Sequence, residues 1–82
     1  MKIMLEAARI NAGYTQMEAA QILGMHYQTL AKYEEDSSKM PYDFIQKLPT
    51  VYGIPTDYIF FGNKNEFIRF IRKEAVRFSR DP

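Results

Sequence analysis

The 82-residue chain contains no cysteine and a single histidine. The absence of cysteine excludes disulfide bonds, thiolate zinc sites and cysteine nucleophiles, and it fits a protein of the reducing cytoplasm. One histidine argues against a histidine-based metal site. From composition we therefore expect a cytoplasmic protein with no metal centre and no other cofactor.

Catalytic and membrane signals are scarce as well. His26 lacks an evident serine partner, and the chain contains neither a glycine-rich phosphate loop nor a pair of zinc-binding histidines. No apolar run approaches the length of a membrane span, and no apolar signal-peptide region follows the first residues. We expect no catalytic residues, no small-molecule ligand and no membrane span.

The formal net charge is only +1, but the charges are unevenly distributed. Residues 1–62 carry five Lys/Arg against seven Asp/Glu, a net charge of −2, whereas residues 63–82 carry six against three, a net charge of +3. Gly62 and Asn63 lie between the two parts and are typical turn residues. The sequence therefore predicts an acidic domain over residues 1–62 and a basic segment over residues 63–82.

Hydrophobic spacing in the acidic domain predicts short helices and no strands, because sustained alternation is absent. A first helix is predicted over residues 2–11. Thr15 and Glu18 form a capping box that opens a second helix, and Gly24 ends it because glycine tolerates a positive φ. The predicted inner face of this second helix consists of Ala19, Ala20, Ile22 and Leu23.

A third helix is predicted over residues 27–34, with Leu30 and Tyr33 facing inward. Its outward residues are Tyr27, Gln28, Thr29 and Lys32. A fourth helix begins near Pro41, and Pro49 is expected to kink or split it near Leu48 because proline removes an amide donor. A short fifth helix is predicted over residues 58–61.

Two short helices joined by a glycine-containing turn form a helix-turn-helix, in which the second helix can enter the major groove of DNA. The chain resembles the lambda-repressor/Cro type of this motif, the xenobiotic-response-element family of bacterial and phage regulators, over about residues 4–62. The residues that carry the resemblance are Leu5, Arg9, Gly13-Tyr14-Thr15-Gln16, Ala20, Leu23-Gly24-Met25, Leu30, Tyr33-Glu34, Pro41, Tyr52-Gly53-Ile54, Asp57-Tyr58-Ile59 and Gly62.

The resemblance implies an all-α fold, a lambda-repressor-like DNA-binding domain of about five short helices followed by a C-terminal amphipathic helix. It also implies that Arg9 and Glu34 form a structural ion pair. The residues that it places in base-reading positions are Tyr27, Gln28 and Lys32. Those that it places near the DNA backbone are Gln16, His26, Thr29, Lys39 and Tyr42. His26 departs from the family, which usually has Ser or Thr before the recognition helix.

The basic segment carries one apolar helical stripe, formed by Phe67, Phe70, Ile71, Ala75 and Phe78. This stripe has three possible roles, which are packing on the acidic domain, pairing with a second copy, and association with an anionic surface. The first two are compatible with each other. The predicted dimer interface consists of Tyr58, Phe61, Phe67, Phe70, Ile71 and Phe78.

The sequence thus favours a regulator that binds specific double-stranded DNA. The form expected is a homodimeric repressor of a phage or mobile element on a palindromic operator. The alternative is an antitoxin or adaptor, a protein-interaction module that retains the fold, and the acidic charge of residues 1–62 motivates it.

Overall fold

The computed structural model describes the backbone of residues 1–79 and the side chains of residues 1–75, so the side chain of Phe78, which the sequence assigns to the dimer interface, lies outside what is described below. The chain is mostly helical, which confirms the predicted fold class. Its elements are β1 (Ile3–Met4), α1 (Leu5–Asn11), α2 (Gln16–Leu23), α3 (Tyr27–Glu35), α4 (Tyr42–Ile45), α5 (Leu48–Tyr52), a 3-10 helix (Thr56–Tyr58), β2 (Ile59–Phe60) and α6 (Lys64–Ser79).

The core is built by one large aliphatic side chain from each of five elements. These fully buried residues are Leu5, Leu23, Leu30, Leu48 and Ile59. Small residues fill the closest approaches, since Ala8, Ala19 and Ala20 are also buried. The two alanines of α2 bring α2 and α3 into the most extensive contact between any two helices of the described chain.

Proline and glycine divide the segment after α3 as the sequence predicts. Pro49 lies in the first turn of α5, so the apolar stretch forms two helices with a break after Ile45. The break is expected because proline supplies no amide hydrogen to the preceding turn. Gly53 ends α5 in the left-handed conformation, with φ +67°.

Two strands correct the prediction that strands are absent. Ile3 pairs with Ile59 and Met4 pairs with Phe60 in a parallel two-stranded sheet. The first helix consequently begins at Leu5, and the fifth predicted helix is instead a 3-10 helix followed by β2. Strands of two residues are too short for alternation to be visible, and the partners lie 56 residues apart, so no local pattern indicates them.

The inner face of α2 also needs correction. Ile22 was predicted to face inward, but it is 50% exposed. Successive residues of a helix are rotated by about 100°, so Ala19, Ala20 and Leu23 share a face that Ile22 does not.

Candidate nucleic-acid interface

Helix α2, the first helix of the α2–turn–α3 unit, is capped at both ends by hydrogen bonds from backbone amides. At the start of α2, Thr15 Oγ1 accepts a hydrogen bond from the Glu18 amide at 3.1 Å, and Glu18 Oε1 accepts one from the Thr15 amide at 2.9 Å. These bonds lower the pKa of the Glu18 carboxyl. At its end, Gly24 has φ +81°, and the Gly24 and Met25 amides both donate to Ala20 O at 2.9 Å. The predicted capping box and glycine turn are therefore confirmed.

The start of α3 is capped by a histidine. The backbone amide of Gln28 donates a hydrogen bond to His26 Nδ1 at 3.2 Å. The His26 ring lies against Tyr27, with ring centroids 4.7 Å apart. His26 thus takes the position that short polar residues usually occupy at a helix start. This arrangement requires that Nδ1 be the unprotonated ring nitrogen.

The two faces of α3 differ sharply in exposure. Leu30 is fully buried, whereas Gln28 and Lys32 are exposed and Tyr27 is 40% exposed. Gln28 and Lys32 lie four residues apart, so they share one face of the helix. The amide of Gln28 is suited to adenine N6 and N7, and the ammonium group of Lys32 is suited to guanine O6 and N7.

A buried carboxylate joins the first three helices. Glu34 accepts hydrogen bonds from Arg9 Nε at 2.7 Å and from Gln16 Nε2 at 2.8 Å, and its side chain is only 2% exposed. Arg9 Nη1 also donates to the carbonyl oxygen of Tyr14 at 2.9 Å. The hydrogen bond with Glu34 raises the pKa of Arg9, so the guanidinium group stays charged.

Gln16 therefore has a partner that the sequence does not indicate. Its amide was predicted to contact a phosphate, and the structure directs one amide N–H towards Glu34. An NH2 group carries two hydrogens. The second one remains available for a phosphate oxygen, and Glu34 then sets the orientation from which it is offered.

The other three residues that the sequence predicts to contact the DNA backbone differ in exposure. Thr29 is half-buried on α3, Lys39 is exposed in the loop that follows, and Tyr42 at the start of α4 is 69% exposed. Asp36, at the end of α3, accepts a hydrogen bond from the Ser38 amide at 3.0 Å, and bonds with Ser38 lower the pKa of its carboxyl. The loop after α3 thus has an exposed ammonium group, on Lys39, close to the carboxylate of Asp36.

Lys47 bonds the end of α2, a contact that the sequence analysis does not predict. Lys47 follows α4, and its Nζ donates to the carbonyl oxygen of Leu23 at 3.2 Å, at the end of α2. The same ammonium group lies 5.6 Å from the centre of the Phe44 ring. A cation is favourable at a helix C-terminus, where carbonyl groups lack helical partners. The contact spans 24 residues, so no local motif predicts it.

Comparison with known proteins agrees with this geometry. The family model described as "Helix-turn-helix" matches residues 5–59, which contain the whole α2–turn–α3 unit. The chain belongs to the helix-turn-helix family. It is also 42% identical over 55 residues to the HTH-type transcriptional regulator ImmR of Bacillus subtilis (strain 168). That match covers 67% of this chain and 43% of ImmR, so the chain spans less than half the length of this relative.

The family model and the relative, which is named as an HTH-type transcriptional regulator, both support a DNA-binding helix-turn-helix domain in this chain. Within the described residues, no helix is long and apolar enough to cross a membrane. The same part of the chain has no cluster of three or more His, Asp or Glu side chains placed to hold a metal ion.

The predicted dimer residues of this helix-turn-helix protein have unequal surroundings. Tyr58 and Phe70 are exposed, at 52% and 55%. Phe61 packs in part on the core, and Phe67 stacks on Phe60 with ring centroids 4.7 Å apart. Ile71 is half-buried and, with Phe67 and Phe70, lines an open apolar cavity of about 680 Å³ beside the N-terminus. The first turns of α6 therefore pack on the helix-turn-helix domain, and Phe70 stays exposed among the side chains that the structure describes.

Proposed function

We propose that this chain is a sequence-specific repressor that binds a palindromic operator as a homodimer. The observation that carries the proposal is the placement of Gln28 and Lys32 on the exposed face of α3, directly opposite the buried Leu30. The match to the helix-turn-helix family and the relative named as a transcriptional regulator also support DNA binding by this chain. The resemblance to the lambda-repressor/Cro type motivates the rest of the proposal, which is that the chain is a phage or mobile-element repressor of the bacterial cytoplasm.

In this proposal α3 enters the major groove and reads base edges. Gln28 bonds adenine, Lys32 bonds guanine, and the Tyr27 ring contacts a thymine methyl group. Gln16, His26, Thr29, Lys39 and Tyr42 face the sugar–phosphate backbone and set the position of α3 in the groove. Repression then follows from steric occlusion of a promoter.

The homodimer compensates for the few cations on this surface. Residues 1–62 carry a net charge of −2, so each copy can neutralise few phosphates, and non-specific binding is weak. Two copies joined through the apolar face of α6 place two recognition helices on one side of the duplex. Half-sites about one helical turn, ~10 base pairs, apart match such a dimer.

Selection of bound duplexes from a random pool tests the proposal, followed by the variant Gln28→Ala. We expect one enriched palindrome, and we expect the variant to lose discrimination at one base of each half-site at a cost of about 1–3 kcal/mol. Gln46→Ala, which removes an exposed amide after α4, is the matched control and should keep the wild-type profile. An unchanged profile for Gln28→Ala contradicts the role of Gln28, and a chain that light scattering finds monomeric at all concentrations contradicts the homodimer.

The second candidate is a protein-interaction module of the antitoxin or adaptor type. The net charge of −2 over residues 1–62 and the exposed Phe70 favour it. The salt dependence of binding to mixed duplex DNA separates the two, because phosphate contacts release counterions and give log K a negative slope against log salt concentration. Binding without such a slope favours the interaction module.

A further inference from the structure

Ser37 ties the end of the recognition helix to the segment that precedes α6. It follows the last residues of α3 and is 3% exposed. Its amide donates to Gly62 O at 3.1 Å, and its Oγ accepts a hydrogen bond from the Gly62 amide at 3.0 Å. The hydroxyl also donates to Phe60 O at 3.5 Å. We call these three hydrogen bonds the Ser37 clasp. Two of the three bonds depend on the hydroxyl of the buried Ser37, so removing it takes a partner from the Gly62 amide and from Phe60 O.

The residues after the clasp begin α6. Asn63 pairs with Asp36 across an antiparallel bridge, and its Oδ1 accepts hydrogen bonds from the amides of Asn65 and Glu66 in the first turn of α6. The backbone therefore runs from the clasp into the helix with no intervening loop. The direction in which α6 leaves the domain is set at this point.

An aromatic contact sets the rotation of α6 about its own axis. The Phe60 ring stacks on Phe67 at an interplanar angle of 23°. The same ring also lies close to Gly62, where an added Cβ would come within 2.8 Å of Phe60 Cζ. Glycine at this position therefore leaves the space that the ring needs.

A surface ion pair also reaches α6, but it is weaker. Lys64 Nζ lies 3.0 Å from Glu6 Oε2 and 3.7 Å from Glu35 Oε1, with the side chains of Lys64 and Glu6 25% and 32% exposed. Solvent-exposed pairs contribute little because water and salt screen them. The buried hydrogen bonds are thus the stronger constraint on the direction of α6.

We propose that Ser37 is a positioning residue for operator recognition: through its bonds to Phe60 and Gly62 it fixes α6 relative to α3, and so fixes the separation of the two recognition helices. The dimer and its operator in this statement rest on the proposed function. A helix of 16 residues is about 24 Å long, so a rotation of roughly 10° at its start moves its far end by about 4 Å. The rise of one base pair is about 3.4 Å. A small loss of alignment therefore changes which half-site spacing fits.

The clasp can be tested without DNA and without a dimer. Because the chain has no cysteine, spin labels can be attached at Gln21→Cys in α2 and Lys73→Cys in α6, both exposed positions. Labelled chain is diluted into excess unlabelled chain, so that only distances within one chain are measured. We expect one narrow distance distribution, and Ser37→Ala should widen or shift it by about 2 Å, because Lys73 lies about 14 Å from the start of α6 and a rotation of roughly 10° there moves it by that amount.

The matched control is Ser38→Ala, which removes the exposed neighbouring hydroxyl. The variant keeps the backbone amide that bonds Asp36, and the Ser38 hydroxyl bonds the exposed carboxylate of Asp36 rather than Phe60 or Gly62, so this variant should keep the narrow distribution. Gly62→Ala is a second variant, in which the new methyl group displaces the Phe60 ring and shifts α6. An unchanged distribution in Ser37→Ala overturns the proposal. If neither Ser37→Ala nor Gly62→Ala folds, the clasp is a requirement for folding, and a positioning role is likewise overturned.

The operator part is tested with duplexes whose half-site spacing is changed by one or two base pairs from the sequence that the full chain selects. We expect the wild type to bind duplexes of one spacing about fivefold more tightly, or more, than the others, which is the lower end of the usual coupling between two sites. Ser37→Ala should bind all the spacings with similar affinity. Loosened α6 with an unchanged spacing preference overturns the role in recognition. If the wild type selects no operator, the proposed function fails, and the distance measurement still decides whether the clasp fixes α6.

Discussion

Arg9 and Glu34 form an almost completely buried ion pair between α1 and α3. Arg9 Nε and Glu34 Oε2 are 2.7 Å apart, and the side chains are 12% and 2% exposed. The resemblance to the lambda-repressor/Cro type implies this pair, and the hydrogen bonds agree with it. Since Gln16 binds the same carboxylate, the pair also positions a residue of the proposed DNA surface.

Breaking this pair from one side should be costly. Glu34→Gln leaves Arg9 charged and unpaired, and we expect it to lower the free energy of unfolding by about 3–5 kcal/mol. Urea unfolding followed by circular dichroism measures the loss. Glu35→Gln is the control, because the Glu35 side chain is 68% exposed and its contact with Lys64 Nζ is long, at 3.7 Å. Such exposed pairs contribute about 1 kcal/mol or less to stability. Equal losses of unfolding free energy in the two variants would show that burial does not govern how much an ion pair contributes to stability.

Tyr52 carries a buried hydroxyl group that has no hydrogen-bond partner among the residues that the structure describes. Tyr52→Phe removes this group while the ring keeps its place near Tyr14. We expect the free energy of unfolding to stay equal or to rise by about 1 kcal/mol, because an unsatisfied polar group no longer has to be buried. A loss of stability in Tyr52→Phe would contradict this, and Tyr42→Phe controls for removal of an exposed hydroxyl.

The same side chain predicts a loss of stability at high pH. Burial, followed by the negative charge of Glu34, raises the pKa of Tyr52 to about 12, whereas Arg9 lowers it. In the unfolded chain the phenol loses its proton near pH 10, so between about pH 10 and 12 the folded state binds more protons. The contribution of Tyr52 to stability is therefore complete below pH 10 and falls by about 1.4 kcal/mol per pH unit above it. Urea midpoints from pH 8 to 11 should show this decline in the wild type, with a smaller slope in Tyr52→Phe.

The histidine cap predicts an order of stability for variants of His26 at the start of α3. His26→Ala removes the acceptor for the Gln28 amide and should lower the free energy of unfolding by about 1 kcal/mol. His26→Ser supplies the usual capping hydroxyl and should equal or exceed the wild type. Thermal and urea unfolding at pH 7.5 give the order of the three proteins. A His26→Ala variant as stable as the serine variant would show that the cap contributes nothing.

Local chemistry explains why much of the site is predictable. The Thr15–Glu18 capping box involves residues three apart, Gly24 acts through its own φ, and Gln28 and Lys32 share a face through the helical repeat. Each feature is complete within a few residues of sequence. Contacts across the fold are not predictable in this way. Lys47 reaches Leu23 and Ser37 reaches Gly62 only after intervening helices have packed, and nothing local distinguishes these residues.

The sequence by itself determined a mostly helical domain with a capped helix-turn-helix and an exposed polar face on α3, because helix caps, glycine turns and hydrophobic spacing act over one or two turns. The tertiary structure decided the pairing of β1 with β2, the inward bond from Gln16 to Glu34 and the clasp that joins Ser37 to the base of α6. These contacts join residues from 18 to 56 positions apart in the chain. Their partners become neighbours only when the shared core of Leu5, Leu23, Leu30, Leu48 and Ile59 has formed.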